Sequence, residues 1–212
     1  MKEPLKWFYQ KKAEQTVKAL KRHKFQAEYF ESREEAAEWI LQKAHKAATI
    51  GVGGSATVRG LGVLEVLEQQ GKTFFDHYRF SKPMLAVDAK RSQLTSDLFL
   101  SSANAITESG EIVNMDSSGN RVAAMTFGPK SVIVVAGINK LVSDIPQAFH
   151  RIREIVAPVN AKRLGLKTPC AETGKCSDCD SPQRICNVSM VLYCKPSLSD
   201  ISVVIVGEEL GI

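Results

Sequence analysis

The segment Ala47-Ala-Thr-Ile-Gly-Val-Gly-Gly-Ser-Ala-Thr57 decides the fold of this 212-residue chain. Its first part, residues 47–52, is a short apolar run typical of a strand that is buried in a parallel sheet. A glycine-rich turn follows, and Ser55 or Thr57 can cap the apolar helix behind it. A strand, a tight turn and a helix in this order predict one unit of an α/β fold.

The turn itself predicts a ligand site. Glycine permits backbone conformations that are closed to other residues and lets a ligand approach the main chain, and free amides at a helix start attract phosphate or carboxylate. The spacing fits neither a P-loop nor a full Gly-x-Gly-x-x-Gly motif, so no nucleotide cofactor is implied. The alternative is a tight turn that binds nothing. The candidate ligand contacts in the turn are Gly51, Gly53, Gly54, Ser55 and Thr57.

The rest of the chain continues the alternation of strands and helices. Ser32-Arg-Glu-Glu35 is a capping box that opens a helix through about His45. Apolar spacing predicts a helix over 88–102, and the continuous β-branched run Ser131-Val-Ile-Val-Val-Ala136 predicts a central strand. Residues 201–206 predict the last strand.

Two further elements complete the predicted order. Residues 103–107 and 112–114 flank Glu108-Ser-Gly-Glu111 as a hairpin, and a helix begins at Asp144 and is broken by Pro158. The sequence therefore predicts a three-layer α/β/α domain with a mostly parallel central sheet.

The first 24 residues differ from the remainder in composition. They carry most of the basic excess behind the net charge of +5, and Leu5, Phe8, Val17 and Leu20 fall together on a helical wheel. We expect residues 1–24 to form an amphipathic helix packed on a domain of residues 25–212, with its lysines in solvent rather than on nucleic acid. No secretory signal and no apolar run long enough for a membrane span are present, so a cytoplasmic protein is expected.

A family resemblance emerges from the order of four motifs. The glycine turn is followed by Asn104-Ala-Ile-Thr-Glu-Ser-Gly110, then by Asp116-Ser-Ser-Gly-Asn-Arg121, and finally by the 132–135 strand with Ala136-Gly-Ile-Asn-Lys140. This order resembles the LUD domain, the lactate-utilisation family, over about residues 12–212. The chain is similar to the short, protein C-like type of that family, in which the LUD domain stands alone.

The resemblance implies both a fold and a role. The family is similar in fold to the sugar-phosphate isomerase and CoA-transferase superfamily, with the ligand site at the glycine turn. It implies participation in bacterial oxidation of L-lactate or a related hydroxy acid, beside iron–sulfur partner subunits. Asn104, in the second motif, joins the candidate contacts to a small anionic substrate. Arg121 joins them because a guanidinium can hold a carboxylate bidentately, although it could equally pair with Asp116 or Glu111. The oligomeric state is left open.

Glu108 is a candidate catalytic residue. Thr107-Glu-Ser-Gly110 is similar to the Ser-Glu-Asn-Gly signature in which CoA-transferases hold a nucleophilic glutamate, which attacks an acyl thioester. Glu108 could instead contact a ligand or be a solvated residue of the hairpin turn. A stand-alone acyl-transfer or isomerase-type enzyme is therefore an alternative function.

The cysteines form a separate cluster in the sequence. Four of the five follow the spacing Cys-x5-Cys-x2-Cys-x6-Cys in an irregular segment, and a four-thiolate set suits a [4Fe–4S] cluster or, alternatively, zinc. A third possibility is that the thiols bind no metal or sense redox state, in a protein that acts by interaction with partners. Cys194 lies in an apolar context and is expected to be a buried core thiol, and His77 is expected to be structural. The candidate metal ligands are Cys170, Cys176, Cys179 and Cys186.

Overall fold

A computed structural model describes residues 3–212, and a six-stranded parallel sheet forms its centre. The strand order is β1-β10-β7-β4-β2-β3, and every neighbouring pair is parallel. The strands of this sheet are β1 (Gln26–Phe30), β2 (Thr49–Val52), β3 (Thr73–Phe75), β4 (Leu98–Ser102), β7 (Ser131–Gly137) and β10 (Asp200–Val206).

A second sheet of four short strands packs against the first. Its order is β8-β5-β6-β9, and β5 pairs with β6 as the predicted antiparallel hairpin. Ile106 and Ile112 face the main core, whereas Ala105 and Val113 pack on a helix behind the second sheet. Its strands are β5 (Ala105–Thr107), β6 (Ile112–Asp116), β8 (Leu141–Val142) and β9 (Val188–Leu192).

Helices cover both faces of the central sheet, which confirms the three-layer α/β/α prediction. One face packs on α2, α3 and α4, and the other on α1, α6 and the second sheet. The helices are α1 (Glu3–Arg22), α2 (Arg33–Ala44), α3 (Ala56–Arg59), α4 (Val63–Gln69), α5 (Pro83–Ser92), α6 (Asn120–Thr126), α7 (Ile145–Arg151), α8 (Ala157–Arg163) and α9 (Pro169–Thr173), with 3₁₀ turns at His77–Arg79, Gln93–Thr95 and Ile138–Lys140.

The central strand was predicted correctly, and its composition explains its position. β7 lies between β10 and β4, so both of its faces are buried. Val132 and Val134 enter the core under α1, and Ile133 and Val135 enter the core under α2. Each such side chain contributes about 1.5–3 kcal/mol when it is buried. Because alternate residues of β7 face opposite sides of the sheet and both sides are buried, residues 132–136 must all be apolar.

The prediction of a helix over 88–102 is wrong for its second half. The helix α5 ends at Ser92, a 3₁₀ turn follows, and residues 98–102 form β4, which pairs with β7 and β2. All five residues of β4 are buried, so its sequence shows no two-residue alternation. The edge strand β1 was not predicted at all; it pairs with β10 alone.

Pro158 does not break the helical segment as predicted. A π-helical turn, Ile152–Val156, joins α7 to α8, and Pro158 lies in the first turn of α8. Proline is tolerated there because the first turn of a helix needs no amide donor, and the wider π turn leaves room for its ring. The chain therefore remains helical from α7 through the π turn to the end of α8.

The N-terminal helix buries only part of its apolar surface. Val17 and Leu20 join the core, whereas Leu5 and Phe8 are exposed although they share the same predicted helix face. Cys194, expected in the core, is also exposed, in the turn after β9. Among residues 3–212, no helix combines the length and apolarity that crossing a membrane requires.

The hairpin turn between β5 and β6 provides a test of how α1 packs. A Cβ atom added at Gly110 would lie 2.9 Å from the main chain of both Ala19 and Leu20, at a φ of +99°. We expect Gly110→Ala to lower the free energy of unfolding by about 3 kcal/mol, because positive φ and a backbone clash combine.

Gly71→Ala is the matched control. Gly71 has a φ of +77° but no atom within 4 Å of the added Cβ. Its loss should be about 1 kcal/mol, from backbone strain alone. Urea denaturation of both variants measures the difference, and equal losses would show that the turn does not press against α1.

Candidate functional site

A cleft of about 420 Å³ lies at the carboxyl ends of the central strands. The turn after β2, the end of β4 and the segment after β7 form its floor, and α8 contributes one wall. β3 and β4 lie on opposite sides of β2, so the chain leaves this edge of the sheet in opposite directions. Ligands of parallel α/β proteins bind at such a point. The volume suits a small molecule.

Lys140 is the most unusual side chain of this cleft. It follows β7 in a 3₁₀ turn, and the residue is only 3% exposed. Its Nζ donates hydrogen bonds to Thr57 Oγ1 at 2.7 Å and to Ser102 Oγ at 2.8 Å. Within residues 3–212, no Asp or Glu carboxylate lies within 4.0 Å of this amine. A buried cation with only neutral partners is costly, and an anion in the cleft would offset that cost.

The pKa of Lys140 reflects these surroundings. Burial lowers it to about 7, and the positive charges of Arg151 and Arg121 act in the same direction. Near neutral pH the amine therefore exists in both its charged and its neutral form. Perturbed groups of this kind concentrate at functional sites.

Arg121 is deeply buried beside the cleft and is held by the protein itself. Its guanidinium donates to the main-chain oxygens of Ser102 at 3.0 Å and Met115 at 2.8 Å, and to the side-chain oxygens of Asn104 and Asn114. Its Nε lies 3.6 Å from Asp116 Oδ1, so Arg121 forms the ion pair with Asp116 that the sequence offered as an alternative to ligand contact. Arg121 thus adds positive charge to the floor, while most of its donors are already occupied.

The predicted contact Asn104 fixes the second sheet to this arginine. Asn104 Oδ1 accepts a hydrogen bond from the main-chain amide of Met115 at 2.8 Å. The main-chain amide of Asn104 donates to Asn114 Oδ1 at 2.9 Å. Arg151 donates to the Asn104 carbonyl at 2.8 Å. The structure brings Asn104, Arg121 and the glycine turn together around one cleft, and their contact with a ligand stays a prediction.

The glycines of the turn have two different roles. An added Cβ at Gly51 would lie 2.9 Å from the Phe99 ring, and one at Gly53 would lie 3.0 Å from Ser101 Oγ, so these two glycines let β2 pack on β4. Gly54 has a φ of +70° and lies against His77. Ser55 caps α3 by accepting from the amide of Val58 at 3.2 Å. Only part of the turn is therefore free for a ligand.

The charges that line the cleft are unbalanced. Its lining contains four cationic side chains and one acidic side chain, that of Asp116; the cations are Lys90, Arg121, Lys140 and Arg163. Asp116 also accepts from the amide of Arg121 at 3.0 Å, at the start of α6. The surplus of positive charge favours an anion.

His77 lines the cleft rather than the core. Its Nδ1 lies 3.2 Å from Nε2 of the buried Gln93, which also donates to the carbonyl of Val52 at 2.8 Å. Burial lowers the pKa of His77, which favours the neutral imidazole. The ring is available to a ligand without adding charge.

Glu108 lies away from the cleft. It sits in the turn between β5 and β6, its side chain is 41% exposed, and its carboxylate pairs with Lys12 of α1 at 2.9 Å. It is not among the residues that line the cleft. This position favours a role for Glu108 as a solvated residue of the hairpin turn over a role as a nucleophile next to the ligand.

The cysteine segment borders the cleft through Ile185 and Cys186. Burial raises the pKa of the Cys186 thiol, and Cys176 and Cys179 are near enough to add to that rise. Cys170 lies on α9. Within the part of the chain that the structure describes, no three His, Cys, Asp or Glu side chains are arranged to hold one metal ion. As placed, the four thiols do not form the predicted metal site.

Comparison with known proteins identifies the family. Residues 13–206 match the LUD domain, so the chain belongs to this family, which is associated with lactate utilisation. The crystal structure of a DUF162 family protein from Deinococcus radiodurans is similar, with a TM-score of 0.57 and 12% identity; the match covers 93% of this chain and 98% of that one. No curated protein matches the chain. The family and fold predictions are confirmed.

Lys140 was not predicted as a site residue, although the sequence contains a signal for it. Lys140 lies three residues beyond Gly137, which ends a strand that is apolar from Val132 onward. Lysine is rarely buried unless it has a partner or a function. Its position at the carboxyl end of the central strand would have pointed to the same cleft.

Proposed function

We propose that the protein binds a small carboxylate, of the hydroxy-acid or oxo-acid type, in this cleft as a component of lactate or hydroxy-acid utilisation. The observation that carries the proposal is the excess of four cationic side chains over one acidic side chain, with Lys140 buried and not paired with any Asp or Glu. The LUD family membership supports the substrate class. Iron–sulfur partner subunits remain part of the proposal on the strength of the family resemblance alone.

Coulombic attraction sets the scale of the expected affinity. Two unit charges 4 Å apart interact by about 4 kcal/mol at the effective dielectric constant of about 20 that is typical of protein sites. Lys140 is the cation with the least compensation, so it should contribute most. The rim cations Lys90 and Arg163 are more exposed and should act mainly on the rate of association.

A stand-alone acyl-transfer enzyme has less support. That function requires the Glu108 carboxylate next to the reacting carbonyl. Its carboxylate instead pairs with Lys12 of α1, and Glu108 does not line the cleft. We therefore favour the binding function.

Calorimetric titration with L-lactate tests the proposal. L-lactate should bind, and its neutral methyl ester should bind at least about tenfold more weakly, since the ester lacks the charge that the cations attract. Lys140→Met should weaken L-lactate binding by about 2 kcal/mol or more, roughly 30-fold, because the buried positive charge is gone.

Lys46→Met is the matched control, because Lys46 is an exposed lysine outside the cleft. It should bind L-lactate as the unchanged protein does. Equal affinity for the acid and its ester, or full binding by Lys140→Met, would contradict an anion site at Lys140.

The four-thiolate site is kept as a separate proposal. It rests on the spacing of the cysteines and on the nearness of Cys176, Cys179 and Cys186, and it requires the segment to draw its thiols together. Iron, sulfide and zinc analysis after anaerobic purification should find bound metal that is lost in Cys176→Ser. Metal should remain in Cys194→Ser, which removes the exposed fifth cysteine. A protein that contains neither iron nor zinc would rule out this proposal.

A further inference from the structure

The amine of Lys140 has the surroundings of a nucleophile rather than of a purely structural cation. Both of its hydrogen-bond partners are hydroxyl groups, from the turn after β2 and from the end of β4. Ser102 Oγ in turn contacts the carbonyl of Ala103 at 3.2 Å, and Thr57 Oγ1 contacts that of Leu210 at 3.3 Å. Neither partner carries a charge that would hold the amine in its protonated form.

The charged groups around this amine favour its neutral form. Arg151 of α7 and Arg121 of α6 both disfavour a further positive charge, and burial acts in the same direction. Asp116, the one acidic side chain of the cleft lining, is engaged with Arg121. An amine that is largely neutral near neutral pH attacks a carbonyl carbon much more readily than an ordinary exposed lysine, which is almost entirely protonated there.

We propose that Lys140 forms an imine with the carbonyl carbon of a 2-oxo acid bound in the cleft. This inference rests on the proposed function, because the other cations of the cleft, Lys90, Arg121 and Arg163, would attract the carboxylate of the oxo acid while the neutral form of Lys140 attacks its carbonyl. The buried amine, its two hydroxyl partners and the cavity in front of them carry the inference.

The chemistry balances without an oxidant. The lone pair of Lys140 Nζ forms a C–N bond to the carbonyl carbon, and the carbonyl oxygen takes up a proton, which gives a carbinolamine. The C–O bond then breaks and the oxygen leaves as water, which leaves a C=N bond to Lys140. Thr57 and Ser102 touch Nζ and can pass protons between the nitrogen and the leaving oxygen.

Reductive trapping tests the inference. Pyruvate and glyoxylate serve as probes, with cyanoborohydride to reduce the imine to a stable amine. Intact-protein mass should rise by the mass of the oxo acid less one oxygen atom, and peptide mapping of the unchanged protein should place the adduct on Lys140. Its yield should exceed that on Lys46 by at least about tenfold, since the cleft holds amine and carbonyl together. It should also rise with pH around 7.

Three controls separate this inference from the proposed function. Lys140→Arg keeps a positive charge but lacks a nucleophilic amine, so its adduct should be lost, while Lys46→Arg should be labelled at Lys140 as before. Excess L-lactate, which has no carbonyl to attack, should suppress labelling. Peptide mapping of the unchanged protein gives a result even if Lys140→Arg does not fold.

The outcomes are distinguishable by pairing trapping with calorimetry. If pyruvate and L-lactate bind but no adduct forms on Lys140, the imine inference is overturned and the binding function stands. If neither ligand binds, both the imine inference and the proposed binding function are overturned. Labelling that is equal on Lys140 and Lys46, or that L-lactate leaves unchanged, also overturns the inference.

Discussion

The two hydrogen bonds of the Lys140 ammonium group connect three neighbouring strands at the edge where the site lies. Lys140 follows β7, Thr57 follows β2, and Ser102 ends β4. No Asp or Glu side chain in residues 3–212 lies within 4.0 Å of the Lys140 amine. The same atoms therefore hold the strand ends together and leave a positive charge in the cleft, so the stability of the floor and its affinity for anions have one origin.

The topology explains why these residues meet. A parallel sheet brings the carboxyl ends of its strands to one edge, and the reversal of direction between β2 and β4 opens a gap there. The second sheet closes the gap from one side, and Asn104, directly before β5, accepts a hydrogen bond from Arg121. The π turn before α8 keeps Pro158 within a helix that forms the wall.

Much of this arrangement follows from the sequence, for physical reasons that also explain the failures. The glycine turn, the β7 strand and the β5–β6 hairpin have local signals: glycine, continuous β-branched residues and turn residues. Residues 98–102 carry no such signal, because burial on both faces removes the alternation that would distinguish a strand from a helix. Gly51 and Gly53 reflect packing on Phe99 and Ser101, which only the strand order reveals. The isolation of Lys140 from any acid is a property of the tertiary structure and could not be read from its neighbours.

The most direct measurement is the pKa of Lys140 itself, followed by NMR through its side-chain carbon shifts in protein with isotope-labelled lysine. The Lys140→Arg variant assigns the signal. We expect a pKa of about 7 in the free protein and an increase when L-lactate binds, because a bound anion stabilises the protonated amine. A pKa near the ordinary lysine value of 10.5 that L-lactate does not change would contradict it.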